Sequence, residues 1–309
     1  MTELQHTLRA WVALVALSLR RQARMRQMVA IALVLMALSV LFVALVSATM
    51  GWKLTNQRAP RTGGLTYGQA LDWTIAREGF HARIVPVHAV ETAISSSIRA
   101  ALDHSAFLVF SRWVVFAIFQ SFLLPLWTLS FATDAIGNER ESRTLIWLFT
   151  RPLPKPAVYL AKYVAALPWC LGLNLVGFVG ICLAAGEPGR LALRLFWPAV
   201  LMGTVAFAAL FHLIAAAFRR PAIVGLIYSF FFETLVGDLP GDLKRMSLSF
   251  YIRSLMFEAV EPLDIAPDQL TVYNPVGAST AWGVLAGATV VFLVVGMVVF
   301  ARSEYREDI

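Results

Sequence analysis

The chain has 309 residues, 59% of them apolar and 15% charged, where a soluble domain carries roughly 45–50% and about 25%. With 21 Phe and 9 Trp it holds more apolar surface than a water-facing fold can hide, yet its 26 Lys+Arg and 19 Asp+Glu give a formal charge of +7. These values exclude disorder, collagen and a disulfide scaffold, and point to a membrane protein whose positive charges sort to one side.

The first 26 residues hold a short apolar stretch, Ala10 to Leu19, followed by Arg20, Arg21, Arg24 and Arg26. A signal peptide has the opposite order, charge first and small residues after. The pattern predicts an amphipathic interfacial helix over 1–26 that feeds the first span. A hydrocarbon core needs about 20 consecutive apolar residues as a helix. Five charge-free windows reach that length: Gln27–Trp52, Trp113–Thr133, Tyr163–Gly186, Leu195–Phe218 and Gly277–Ala301. A sixth, Pro221–Phe232, is interrupted by Glu233 and resumes only to Gly237. It reads as a span whose outer end is polar or lines a cavity, with Glu233 either an intramembrane site or a headgroup-level acid. Cys170 and Cys182 share one apolar run and give no redox address.

Six alternating spans with a cytoplasmic N-terminus put 14 of the 26 basic residues and 7 of the 19 acidic ones inside. The outside then carries 12 of each, and the whole surplus is cytoplasmic. The sequence therefore reads as an all-α polytopic protein, one membrane domain over 1–309, with both termini in the cytoplasm. Residues 53–105 form an extracytoplasmic segment with two helix-compatible stretches, Tyr67–Glu78 and Val90–His104, the second of which could run directly into the second span. Residues 238–276 form another, extracytoplasmic or re-entrant. Within it, Leu243–Val260 alternates apolar residues with charges, as an interfacial helix does.

The cytoplasmic loop 134–162 is the most informative stretch. Glu139 and Arg143 have the i, i+4 order that supports a helix. Leu145-Ile146-Trp147-Leu148-Phe149 is apolar and needs a partner surface, and Pro152, Pro154 and Pro156 end it. In its order of elements the loop resembles the permease subunits of type 2 ABC exporters, the ABC-2 transporter permease family. Those elements are acids after the second span, Glu139-x-Glu141-x-x-Thr144-Leu145, then Leu148-x-x-Arg151-Pro152-Leu153, then Lys162. Arg143 stands where that family usually has glycine, and Arg151 where a small residue is common.

The resemblance implies a pair of permeases, two copies or two paralogues, each engaging a cytoplasmic ATPase subunit through a coupling helix in this loop. Glu139, Glu141, Arg143 and Thr144 would then meet the ATPase, with Leu145, Trp147 and Leu148 as the buried anchor. It implies export across the plasma (inner) membrane. The chain has no Gly-x-x-x-x-Gly-Lys-Ser/Thr loop, so ATP and Mg²⁺ belong to the partner and no cofactor to this chain. Membrane lipid is the other expected contact; nucleic acid is not expected, because the basic surplus is an orientation signal.

Two other readings come from different classes. An intramembrane enzyme would need convergent ionisable groups at depth, and only His212 and Glu233 offer themselves, on different spans; His212 reads more simply as a helix-contact residue. A subunit passing ATP-driven motion to an extracytoplasmic partner would use residues 53–105. Glycines 172, 177 and 180 read as helix-packing positions. Pro125, Pro168 and Pro198 read as kinks.

Overall fold

Long charge-free runs leave the backbone no hydrogen-bond partner but itself. The computed structural model accordingly shows only helices among the residues it describes, which are 2–23, 26–49, 106–141, 153–235, 242–260 and 275–302. In chain order they are α1 (Thr2–Ala23) and α2 (Arg26–Thr49). Then comes α3, wound as a π-helix over Ser111–Leu123 and as an α-helix over Leu124–Glu141. Helices α4 (Lys155–Ala184) and α5 (Glu187–Ala217) follow. Helix α6 is α-wound over Pro221–Ile227 and π-wound over Tyr228–Leu235. A 3₁₀ turn at Asp242–Met246 leads to α7 (Leu248–Val260), and the last helix is α8 (Ala278–Arg302).

Five of these, α2, α3, α4, α5 and α8, are long and apolar enough to cross a membrane; the apolar part of α6, Pro221–Glu233, is shorter. The charge-free windows understate three of the five. Arg112 and Asp134 both lie within α3, Lys162 within α4, and Arg190 and Arg194 within α5. A single charge does not end a helix whose backbone hydrogen bonds continue through it.

Helix α5 is the axis of the bundle: 78% of its apolar window is buried, against 11% for α2 and 22% for α8. Helices α3, α4, α7 and α8 all pack on it. Its turn from α4 is two residues long, and Gly186 takes a positive φ of 77° there, a conformation open to glycine at little cost. Outward-facing side chains are apolar, such as the aliphatic Ile31, Leu38 and Leu45 on α2 and Val290, Val294 and Val298 on α8. Between α3, α4, α5 and α7 the packing is aromatic. Phe116 lies 6.0 Å from Phe196 and 5.3 Å from Phe257, and Phe119 lies 4.9 Å from Phe178. With lipid as the solvent, such contacts hold helices together by shape and dispersion rather than by exclusion of water.

The helices alternate in direction. One end of the bundle, the near end, holds Lys155, Ala217, Pro221 and Arg302; the far end holds Ala184, Glu187 and Ala278. Helix α1 lies at the near end. Its Leu14 is buried in a cluster with Ile136, Val158, Tyr159 and Phe300, and Trp11 Nε1 donates a 2.9 Å hydrogen bond to the Ala157 carbonyl. Leu8, Val12 and Leu17 face outward.

The glycine expectation holds at two of three positions. A Cβ on Gly177 would strike the Trp127 ring and one on Gly180 would lie 3.0 Å from Val40, whereas Gly172 has open space. Pro168 and Pro198 are inside α4 and α5, and Pro125 falls where α3 passes from π to α winding. Its missing N–H and its ring explain the changeover, since an α turn there would clash with the carbonyl four residues back.

Candidate functional site

Three places carry polar chemistry, and the first is the near-end loop. Glu139 and Glu141 lie in the last turn of α3; Arg143, Thr144, Leu145, Trp147 and Leu148 lie outside the described residues, as does the segment 53–105. Pro154 opens α4 in an extended conformation with Pro156 in the first turn, so the chain re-enters the bundle at the end it left. Lys162, the last element of the sequence pattern, is buried in α4.

The second place is His212 on α5, fully buried between three helices. Its Nδ1 lies 3.3 Å from the Ala132 carbonyl of α3 and its Nε2 lies 3.2 Å from the Tyr159 carbonyl of α4. The ring lies tilted against Tyr159 at 4.5 Å and Tyr163 at 5.7 Å between centroids. A neutral imidazole donates to one of two carbonyls at a time. This is the helix-contact role expected for it.

The third place is Glu233, at the end of α6, with 1% of its surface exposed. Both of its carboxylate oxygens are engaged by donors of its own helix and of the segment that starts α7. Its Oε1 accepts from Tyr228 Oη at 2.8 Å and from the Leu248 N–H at 3.2 Å. Its Oε2 accepts from Ser247 Oγ at 2.7 Å and from the Ser249 N–H at 2.8 Å. The first N–H groups of a helix have no partner within it, and a carboxylate there also meets the positive end of the helix dipole. Glu233 thus caps α7 from another element. His212 and Glu233 have no partner in common and do not form one site.

Helix α7, in the stretch whose pattern suits an interfacial helix, packs one face into the bundle. Phe250, Ile252, Leu255 and Met256 are buried against α5 and α8. A Cβ on Gly203 of α5 would lie 2.7 Å from Ile252 Cδ1. Polar ties reach α3: Gln120 Nε2 donates to the Ser249 carbonyl at 2.8 Å, and an Arg253 guanidinium N–H donates to Ser121 Oγ at 2.9 Å. Gln120, Arg253 and the Asn174–Thr128 bond (2.9 Å) between α4 and α3 were not singled out by sequence reasoning. The usable signal was a Ser247-Leu-Ser start, a good helix cap, on an apolar run.

Among the described residues no group of three or more His, Cys, Asp or Glu side chains could hold a metal ion. Long apolar helices around one buried helix, with an apolar outer surface and buried polar contacts between helices, define an integral membrane protein of the polytopic helical class. No curated protein matches the chain. The family described as "ABC-2 family transporter protein" matches residues 80–236, about half the sequence, from the segment before α3 through α6. The chain belongs to the ABC-2 transporter family and is a membrane permease of that family.

Proposed function

We propose that this chain is the permease subunit of an ATP-driven exporter, coupled to a separate cytoplasmic ATPase subunit and paired with a second permease. The observation that carries the proposal is the family match, whose span includes the loop 142–152 between α3 and α4. The near end is then cytoplasmic and holds both termini, which agrees with the described cations Arg9, Arg20, Arg21, Lys155, Arg219 and Arg302 at that end. The membrane is the plasma (inner) membrane. Helix α1 lies at its inner surface, with Leu8 and Val12 toward lipid.

Helix α7 runs from within the membrane to its outer side, from Glu233 to the far-end start of α8. Taking Trp197 of α5 as the outer boundary, Gly203, which touches Ile252, lies about 9 Å deeper at 1.5 Å per residue. Helices α6 and α7 together complete the sixth crossing, with Glu233 at their junction. The chain is not an enzyme on this reading; ATP and Mg²⁺ are held by the partner.

At the loop, Glu139, Glu141, Arg143 and Thr144 make polar contacts with the ATPase, and Leu145, Trp147 and Leu148 fill an apolar groove on it. A soluble ATPase in equal number should copurify with the chain in mild detergent. Glu139→Ala and Trp147→Ala should leave the protein folded while ATP turnover no longer depends on substrate. Wild-type coupling in both variants would overturn the assignment of this loop. ATPase activity without any substrate response in the wild type, together with copurification of an extracytoplasmic protein, would favour a force-transmitting subunit instead.

A further inference from the structure

We propose that Glu233 is a positioning residue that makes α6 and α7 move together, so that displacement at the near end of α6 is delivered to the far end of the bundle. The inference rests on the permease reading. Helix α6 is peripheral: Ile223, Leu226, Ile227, Phe230 and Phe231 are exposed along it. Its near end sits where force would arrive. A Cβ on Gly137 of α3 would lie 3.3 Å from the Pro221 ring, and Gly137 is one turn from Glu141, where α3 leads into the proposed ATPase loop.

Its far end is held in another way. Both Glu233 oxygens are occupied by two hydroxyls and two α7 backbone N–H groups, at 2.7–3.2 Å. Charge-assisted bonds of this kind are about twice as strong as neutral ones, and they act where little water competes. Helix α7 in turn holds the far-end start of α8: the Val276 N–H donates to Ser254 Oγ at 3.4 Å, and the Ala278 N–H donates to the Glu258 carboxylate.

The winding of the helices supports a movable junction. Both α3 and α6 are π-wound at this level, over Ser111–Leu123 and Tyr228–Leu235, and Phe122 meets Phe230 edge-on at 6.0 Å between them. The wider π turns, which often mark functional sites, place Tyr228 and Glu233, five residues apart, on one side of α6. The carboxylate is thereby oriented by its own helix and bonded to the next.

Glu233→Gln keeps the volume but turns an amide NH₂ toward donors, so at least one pair of bonds is lost. Tyr228→Phe removes one bond and leaves the carboxylate, a milder variant that keeps the idea testable if Glu233→Gln folds poorly. The test is spin-label distance measurement on the full chain, copurified with its ATPase and reconstituted in lipid nanodiscs. Label pairs at Ile223 with Val298 report the near end, and pairs at Met246, beside the start of α7, with Trp282, near the far-end start of α8, report α7 against α8 as the far pair; all four positions are exposed, while the native Cys170 and Cys182 are buried.

On addition of ATP and vanadate the wild type should shift at both pairs. Glu233→Gln should shift at the near pair, with the shifted far-end population reduced about tenfold, within the 5–150-fold span of typical coupling. Tyr228→Phe should give a smaller reduction. An undiminished far-end shift in both variants overturns the latch while leaving the permease reading intact. No ATP-dependent shift at either wild-type pair overturns the permease reading, and the latch with it.

Discussion

Replacing Gly177 by alanine tests how tightly α3 and α4 are joined. The new Cβ would lie 2.6 Å from Trp127 Cη2 and closer still to Cζ3, where carbon atoms ordinarily rest about 3.5–4.0 Å apart. One side must therefore recede by roughly 1 Å. Trp127 cannot do so easily: it is 1% exposed and backed edge-on by Phe119 at 6.1 Å, which itself packs at a tilt against Phe178. Overpacking of this kind costs about 1–3 kcal/mol, offset in part by the gain of up to about 1 kcal/mol for alanine over glycine in a helix.

Gly172 on the same helix is the internal control, because nothing lies within 4 Å of its added Cβ. Gly172→Ala should be neutral or stabilising, so the two variants should differ by about 2 kcal/mol. Reversible unfolding in mixed micelles with increasing sodium dodecyl sulfate, followed by near-ultraviolet circular dichroism, measures that difference. Equal stabilities for Gly177→Ala and Gly172→Ala would refute the packing argument.

His212→Phe keeps ring volume but removes the imidazole contacts to the Ala132 and Tyr159 carbonyls; it should cost about 1–3 kcal/mol in the same unfolding assay while leaving turnover per folded molecule unchanged, as a structural node requires. Gly203→Ala should cost about 1–2 kcal/mol and Gly203→Ala with Ile252→Val less than the sum of the single changes, a coupling a double-mutant cycle reads directly.

The sequence made the long spans legible because a lipid-facing helix is written as an unbroken apolar run. Helices α2 and α8 begin and end within a few residues of their windows. Where a charge was taken as a boundary, the span came out short: Lys162 is buried in α4, and Arg112 belongs to α3. The near-end loop reads in the sequence as a pattern of residue types, and residues 142–152 of it lie outside the described residues. Glu233 was legible only as an anomaly. Its partners, Ser247, Leu248 and Ser249, are 14 to 16 residues away, and no periodicity tells a carboxylate on one helix that another helix begins beside it. Gln120 was illegible for the same reason: its partner is 129 residues distant.

The central place of α5 also sets an order of events during synthesis. Its partners α3 and α4 precede it, and the two-residue turn at Gly186 lets α4 and α5 enter the membrane as a hairpin. Helix α8, the element that packs most extensively on α5, is made after the other helices described. Until residue 302 leaves the ribosome, the face of α5 that α8 will cover is open to lipid or to an insertase. A ribosome stalled before α8 would thus hold the bundle with its axis uncovered, and a truncated chain would present the quality-control machinery with that same bare face.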